Sequence, residues 1–255
     1  MLNLDLSRHV ALVTGGSGEL GRTMCRTLAE CGATVAVHYL GSKEKALEVV
    51  SSIEEMGGKA AAFQADITDS ASVSALRDSV VESLGVPTIL VNNAVIQYTW
   101  KGVLEQDASD YESQFRSCVL QNVLMAQAFV PAMIAKGAGG RIIAINTECA
   151  MQNFVGQSAY VSGKRGMDGV LRVLAKEIGE HQITVNQVAP GWTKSDKFKD
   201  LEPAPQAGYA AALPLKRAGT DQEIANVVAF LASDLASYIT GAYIPVCGGN
   251  VMPAI

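Results

Sequence analysis

Tyr160 and Lys164 stand four residues apart in Ser158-Ala-Tyr-Val-Ser-Gly-Lys164, at the start of a stretch with helical periodicity. That spacing puts both side chains on one face of a helix. A phenol ordinarily ionises at about pH 10, too high for proton exchange near neutrality. A neighbouring ammonium favours the phenolate and lowers that value. The pair therefore suits proton transfer to or from a carbonyl or hydroxyl oxygen. Taken alone, Tyr-x-x-x-Lys is commonplace on solvated helix faces, so the pair acquires meaning only from what surrounds it.

Near the other end of the chain, Val10-Ala-Leu-Val-Thr14 runs into Gly15-Gly16-Ser17-Gly18-Glu19-Leu20-Gly21 and then into a helical pattern. Backbone amides approach a pyrophosphate only where side chains are absent, and the following helix N-terminus adds favourable partial charge. A lone GxGxxG is weak evidence. Directly after the first strand of an alternating chain it points to a dinucleotide.

The elements that must carry these residues follow from short apolar, β-branched runs at 10–14, 34–38, 60–64, 88–92, 141–146, 184–188 and 242–246. Most lack polar alternation, as expected of parallel strands buried on both faces. Helical patterns at 43–56, 70–83, 107–135, 159–180 and 221–233 lie between them. Such alternation predicts right-handed crossovers in one α/β domain, residues 1–255, built as a Rossmann-type doubly wound parallel sheet of about seven strands. Ligands bind outside the carboxyl ends of such strands, where every motif here falls. Residues 193–219, with Pro203, Pro205 and Pro214, break the rhythm and are expected to form a substrate lid, mobile over 196–212 without ligand.

Composition narrows the function further. The chain has 255 residues, 49% of them apolar and 18% charged, enough for a sizeable core. A net charge of −5 argues against nucleic acid as a partner. No uninterrupted apolar run of bilayer-spanning length and no signal-peptide pattern at the N-terminus is present, so a cytoplasmic protein without a membrane partner is expected. The five cysteines are scattered and unpaired by spacing, consistent with reduced thiols rather than a metal site.

Together these motifs resemble the short-chain dehydrogenase/reductase family, in its compact single-domain branch, and most nearly its 3-oxoacyl-carrier-protein reductase-like members. The likeness is carried by Thr14-Gly15-Gly16-Ser17 through Gly21, by Ala65-Asp-Ile-Thr-Asp69, by Leu90-Val-Asn-Asn-Ala-Val95, and by Gly140-Arg-Ile-Ile-Ala-Ile-Asn-Thr147 thirteen residues before Tyr160. It continues in Ile183-Thr-Val-Asn-Gln-Val-Ala-Pro190-Gly191-Trp192-Thr193 and in the C-terminal stretch ending at Gly248-Gly249. The resemblance implies hydride transfer between a nicotinamide cofactor and a carbonyl or secondary alcohol. Tyr160 would be the acid/base, Lys164 would lower its pKa and bind the nicotinamide ribose, and Thr147, where the family usually has serine, would orient the substrate oxygen. It also implies cofactor contacts from Gly15, Ser17, Gly18, Leu20, Gly21, Asp66, Ile67, Asn93, Ala94, Pro190, Gly191 and Thr193. The implied assembly is a homotetramer with helices 107–135 and 159–180 at its larger interface.

This chain also departs from the family pattern. Glu19 takes the place of the middle glycine, Val95 replaces a glycine, and Cys118 stands where the family has an asparagine that supports a helix kink and a proton-relaying water. At the end of the second strand Tyr39 replaces the carboxylate that selects NAD, with Ser42, Lys43 and His38 nearby to receive a phosphate. NADP(H) is therefore favoured, with NAD(H) possible. The two arginine positions used for docking an acidic carrier are Ala138 and His181, which favours a free small molecule as substrate. Trp100, Trp192, Phe154 and Phe198 are candidates for its apolar surroundings. The alternatives are an NAD-dependent polyol or sugar dehydrogenase and, from another class, a catalytically weak dinucleotide-binding sensor or scaffold.

Overall fold

In the computed structural model, residues 4–193 and 207–252 are described. The chain alternates β1 (Val10–Val13), α1 (Glu19–Glu30), β2 (Thr34–Tyr39), α2 (Lys43–Glu55), β3 (Ala60–Gln64), α3 (Ser70–Leu84) and β4 (Ile89–Asn92). There follow α4 (Ala108–Gln114), a π-helical turn (Phe115–Leu120), α5 (Gln121–Lys136), β5 (Gly140–Ile145), α6 (Cys149–Gln152), α7 (Ser158–Ile178) and β6 (Ile183–Pro190). Last come α8 (Ala207–Ala212), α9 (Asp221–Ala232) and β7 (Tyr243–Val246). All seven strands form one sheet in the order β3-β2-β1-β4-β5-β6-β7, every pairing parallel. The order reverses between β1 and β4, and that switch point opens a crevice beyond the strand ends.

The absence of alternation in the strands has a direct cause, because the sheet carries an apolar layer on each face. Ala11 and Val13 of β1, Val35 and Val37 of β2, and Ile89 and Val91 of β4 join one cluster with residues of α1, α2 and α9. The intervening Leu12, Ala36 and Leu90 join the other, with residues of α3, α5 and α7. Neither face of the central strands meets water.

Element ends follow local chemistry. Asp69 accepts the Ser72 backbone N–H at the start of α3, and Thr220 and Glu223 form a reciprocal capping box on α9. β6 runs two residues beyond its expected end, because β7 continues to pair with Ala189 and Pro190. The predicted helix 107–135 is continuous but loosens into the π turn around Cys118. The run Ala108–Lys136 is long and apolar enough to cross a membrane by composition alone. Half of its apolar stretch is buried, however, with Met125, Phe129 and Met133 packed in the second cluster. Of the predicted lid, residues 194–206, including Phe198, lie outside the described residues, and 207–212 form α8.

Candidate active site

β1 ends because Thr14 turns the chain across the end of β4. Its hydroxyl accepts the N–H groups of Asn93 at 2.9 Å and Ala94 at 3.1 Å. Gly15 then takes φ +64°, a conformation that costs a side-chain-bearing residue energy. A Cβ on Gly21 would collide with the Gly15 carbonyl oxygen, so the loop closes only with glycine there. His38 fastens the loop from β2. The Gly15 N–H donates to His38 Nδ1 at 3.0 Å, and His38 Nε2 lies 3.0 Å from the Ala65 carbonyl. A ring that accepts at Nδ1 and donates at Nε2 is neutral. Burial holds its pKa below the ordinary histidine value, against smaller opposing effects of the Ala65 carbonyl and Asp66.

A cleft of 590 Å³ lies over this loop. Of the residues expected to contact a cofactor, Gly15, Ser17, Gly18, Leu20, Gly21, Ser42, Asp66, Ile67, Asn93, Ala94 and Thr193 line it. Pro190, Gly191, Lys43, Tyr160 and Lys164 do not. The Pro190 carbonyl accepts from Glu148 and the Gly191 N–H donates to the Val246 carbonyl, so both are committed to packing β6. His38 lines the cleft but has both ring nitrogens occupied, and the Tyr39 side chain is buried in the apolar core rather than facing the cleft. Glu19 and Leu40 line the cleft, and no lysine or arginine does so among the described residues. Part of the Asp66 carboxylate is used locally, accepting the Thr68 N–H at 2.9 Å and its hydroxyl at 2.7 Å.

The expected reaction centre forms at the end of β5. Thr147 leaves that strand, buried, with its N–H held by the Asn146 side chain at 2.9 Å. The Asn146 amide also reaches the Lys164 carbonyl and, at 2.7 Å, Gln187 Oε1, fastening the loop to α7 and β6. Tyr160 sits in the first turn of α7, where its N–H donates to the Tyr98 hydroxyl at 2.8 Å. The turn thus receives its cap from the segment after β4, since Gln157 offers no side-chain cap. Burial pushes the Tyr160 phenol well above its ordinary pKa, the Cys149 and Cys118 thiols adding to it, while a hydrogen bond with Thr147 pulls it partly back.

Spacing alone predicts that Lys164 lowers the phenol pKa. In this structure its ammonium is fully inside the protein, donates to the Ile145 carbonyl at 2.6 Å and lies 5.7 Å from the Tyr160 ring centroid. Burial lowers its own pKa, and desolvation rather than the ammonium governs the phenol.

The helix kink survives without the family asparagine. Cys118 sits in the π turn, where Asn122 Nδ2 donates to its carbonyl at 2.7 Å and Asn92 Nδ2 donates to Asn122 Oδ1 at 2.7 Å. The carbonyl freed by the bulge is therefore satisfied by a side chain one turn on. Gly163 lets α7 approach closely, since a Cβ there would lie 3.2 Å from that of Cys118.

Four further residues shape this centre: Tyr98, Asn146, Glu148 and Tyr209. Only Glu148, a carboxylate directly after the expected hydroxyl, carries a signal in the sequence. Of the apolar candidates for the substrate's surroundings, Trp100, Phe154 and Trp192 are all substantially exposed. Ala138 and His181 are exposed on neighbouring turns that lead into β5 and β6, which pair through Gly140 and Ile183.

Comparison with known proteins places this site in context. The family described as Enoyl-(Acyl carrier protein) reductase matches residues 17–250. The 3-oxoacyl-(acyl-carrier-protein) reductase FabG of Staphylococcus aureus is 38% identical over 252 residues, covering 95% of this chain and 98% of that protein. The Escherichia coli FabG is 36% identical over 259 residues, covering 98% and 100%. Among solved structures, a 7α-hydroxysteroid dehydrogenase complexed with NADH and 7-oxo glycochenodeoxycholic acid superposes with a TM-score of 0.90 at 32% identity, covering 98% of this chain and 97% of that one. A blue fluorescent protein from a metagenomic library, in complex with NADPH, gives 0.88 at 35% identity, covering 98% and 100%. With a glycine-loop cleft, a Thr-Tyr-Lys group at the end of β5 and likeness along nearly its whole length, the chain belongs to the short-chain dehydrogenase/reductase family and is an oxidoreductase.

Proposed function

We propose that this protein exchanges hydride between NADP(H) and the carbonyl or secondary alcohol of a free small molecule. The observation that carries this is the convergence of Thr147, Tyr160 and Lys164, from the end of β5 and the first turns of α7, near a cleft walled by the glycine loop. The glycine loop fits a pyrophosphate, because its Gly15–Gly21 contact leaves backbone rather than side chains at the cleft floor. When bound, the nicotinamide supplies or receives the hydride. Thr147 and Tyr160 hold the substrate oxygen between their hydroxyls, and Tyr160 gives it a proton in reduction. Lys164 binds the nicotinamide ribose in place of the Ile145 carbonyl, or together with it. In oxidation the buried phenol must lose a proton, which requires positive charge to be brought beside it.

For the second phosphate, support comes from Ser42, from the first-turn amides of α2, and from the lack of a carboxylate at the end of β2, where Tyr39 is buried. One observation favours NADH instead: Glu19 lines the cleft and no basic side chain does among the described residues. Titration with both nucleotides decides between them. Tighter NADPH binding is expected, and a clear NADH preference overturns that choice.

The free-substrate reading rests on Ala138 and His181, where an acidic carrier would need arginines, and the half-exposed Trp192 and Phe154 suit an apolar molecule. We further propose a cytoplasmic homotetramer, assembled through the face of α4–α5 and α7 where Phe115 and Val173 are more than half exposed. A chemically diverse set of carbonyls and alcohols, assayed with both nucleotides, tests the activity. Absence of turnover with tight nucleotide binding intact would favour a sensor or scaffold.

A further inference from the structure

Glu148 is the residue directly after Thr147, and it is 2% exposed. A carboxylate taken out of water is costly unless its oxygens are hydrogen-bonded. Here they are, and the donors come from segments far apart in the chain. The Tyr209 hydroxyl, on α8, donates to Oε1 at 2.7 Å, and Asn250 Nδ2 donates to Oε2 at 3.0 Å. Among the described residues every one of these partners is neutral, so the carboxylate is held by geometry rather than by an opposite charge.

The direction of these bonds is fixed. The Trp192 N–H is obligatorily a donor, and it lies 3.0 Å from the Tyr209 oxygen. The Tyr209 proton must therefore go to position 148, which has to present an acceptor. The path between them is kept open by Gly191, whose Cβ would collide with the Tyr209 hydroxyl and lie 3.0 Å from Cys247. The Tyr209 ring packs on Trp192 at 5.9 Å between centroids, and the Glu148 N–H donates to the Pro190 carbonyl at 3.0 Å. Glu148 thus joins the Thr147 loop to α8 and the C-terminal segment through its side chain, and to the turn at 190–192 through its backbone N–H and through Tyr209.

We propose that Glu148 is a positioning residue that ties α8 and the turn at 190–192 to the loop carrying Thr147, so that the substrate end of the site is assembled as one unit. The consequence for substrates rests on the hydride-transfer activity proposed above; the tie itself does not. It acts through acceptance of the Tyr209 proton, and glutamine keeps an acceptor oxygen for that bond, while its amide nitrogen is accommodated when Asn250 turns its own amide oxygen inward.

The test uses the full-length protein with Glu148→Leu, Tyr209→Phe, both together, and Glu148→Gln. Hydrogen exchange at 191–193 and 207–212 reads the tie without any substrate. Carbonyl reduction reads its consequence. Glu148→Leu and Tyr209→Phe are each expected to speed exchange at both segments and to raise the KM for the carbonyl substrate about tenfold, the scale of one lost hydrogen bond to a charged acceptor, with a smaller change in kcat. The double variant should be no worse than the more severe single one, and Glu148→Gln should stay near the parent. Independent, multiplicative effects, unchanged exchange at 207–212, or a glutamine variant as impaired as leucine each overturn the tie. Tyr209→Phe removes one hydroxyl from a partly exposed helix, so it remains decisive should the leucine variant fail to fold. Faster exchange in a protein that turns over no carbonyl would leave the tie standing and reject the activity instead.

Discussion

The two halves of this site are built from different materials. At the proposed dinucleotide end the surface is backbone: Thr14 and His38 pin the chain, Gly15 and Gly21 clear it, and the first turn of α1 closes it. At the reaction end the working groups are side chains whose properties are set by burial: the Tyr160 phenol is pushed up and the Lys164 ammonium pushed down. The contrast explains what each end tolerates. A loop proposed to bind through its amides can carry Glu19 because glycine stands at the neighbouring position 18. A reaction centre made of buried side chains is sensitive to single atoms. Around it, Asn122 donates to the Cys118 carbonyl and the Tyr98 hydroxyl accepts the Tyr160 N–H.

The sharpest way to break this comparison is to remove one oxygen at the reaction end. Tyr160→Phe should leave the fold and nucleotide binding intact and lower turnover about 10²–10⁴-fold, the range for a positioned acid/base. Lys164→Met should lower turnover too but also weaken nucleotide binding, a pattern that general destabilisation does not imitate. Unchanged turnover of a true substrate by the phenylalanine variant would falsify the assignment of Tyr160.

At the dinucleotide end the equivalent injury is the addition of one carbon. Gly21→Ala forces a Cβ against the Gly15 carbonyl. Overpacking of this kind costs about 1–3 kcal/mol, so nucleotide affinity should fall roughly 10–100-fold. Thermal unfolding should shift less than affinity does. Calorimetric titration that finds full affinity would mean that the loop is not backbone-built.

A milder effect is expected from Cys118→Asn. If the π turn lacks only the family's relay group, restoring the asparagine should leave turnover equal or raise it, most visibly in the oxidative direction. A marked loss of turnover, with the melting temperature unchanged, would show that Asn122 and the thiol now form a working arrangement that asparagine disrupts.

The smallest effect concerns His38, the side chain on which the backbone-built loop hangs. Its folded-state pKa is lowered, chiefly by burial. Below the unfolded histidine value of about 6.5 the unfolded chain takes up a proton that the folded loop resists. Stability from this group is therefore present above that pH and is lost as pH falls toward the folded value, with a slope of at most about 1.4 kcal/mol per pH unit. His9, also lowered by burial, adds a slope of the same sign. Replacing His38 by Gln should remove its share, and nucleotide affinity should become less acid-sensitive. Identical acid profiles for parent and variant would count against the neutral tautomer.

Much of this protein was determined by its sequence alone, because the relevant signals are local. Strand 60–64 coincides with β3, and the remaining strands differ from expectation only at their ends, since unalternating apolar runs have one stable use, burial between two helix layers. The glycine spacing and the four-residue Tyr-Lys interval are also local, so the residues of both site halves were legible.

Tertiary structure alone decided what lies across the chain. Tyr98 meets Tyr160 over 62 positions and Tyr209 meets Glu148 over 61, so no window of sequence contains either pair. Burial, which is a property of the whole fold, sets the direction of the Tyr160 shift and keeps Tyr39 out of the cleft. Spacing along a helix specifies which side chains are neighbours. Whether a charge among them is felt depends on the water that the rest of the chain excludes.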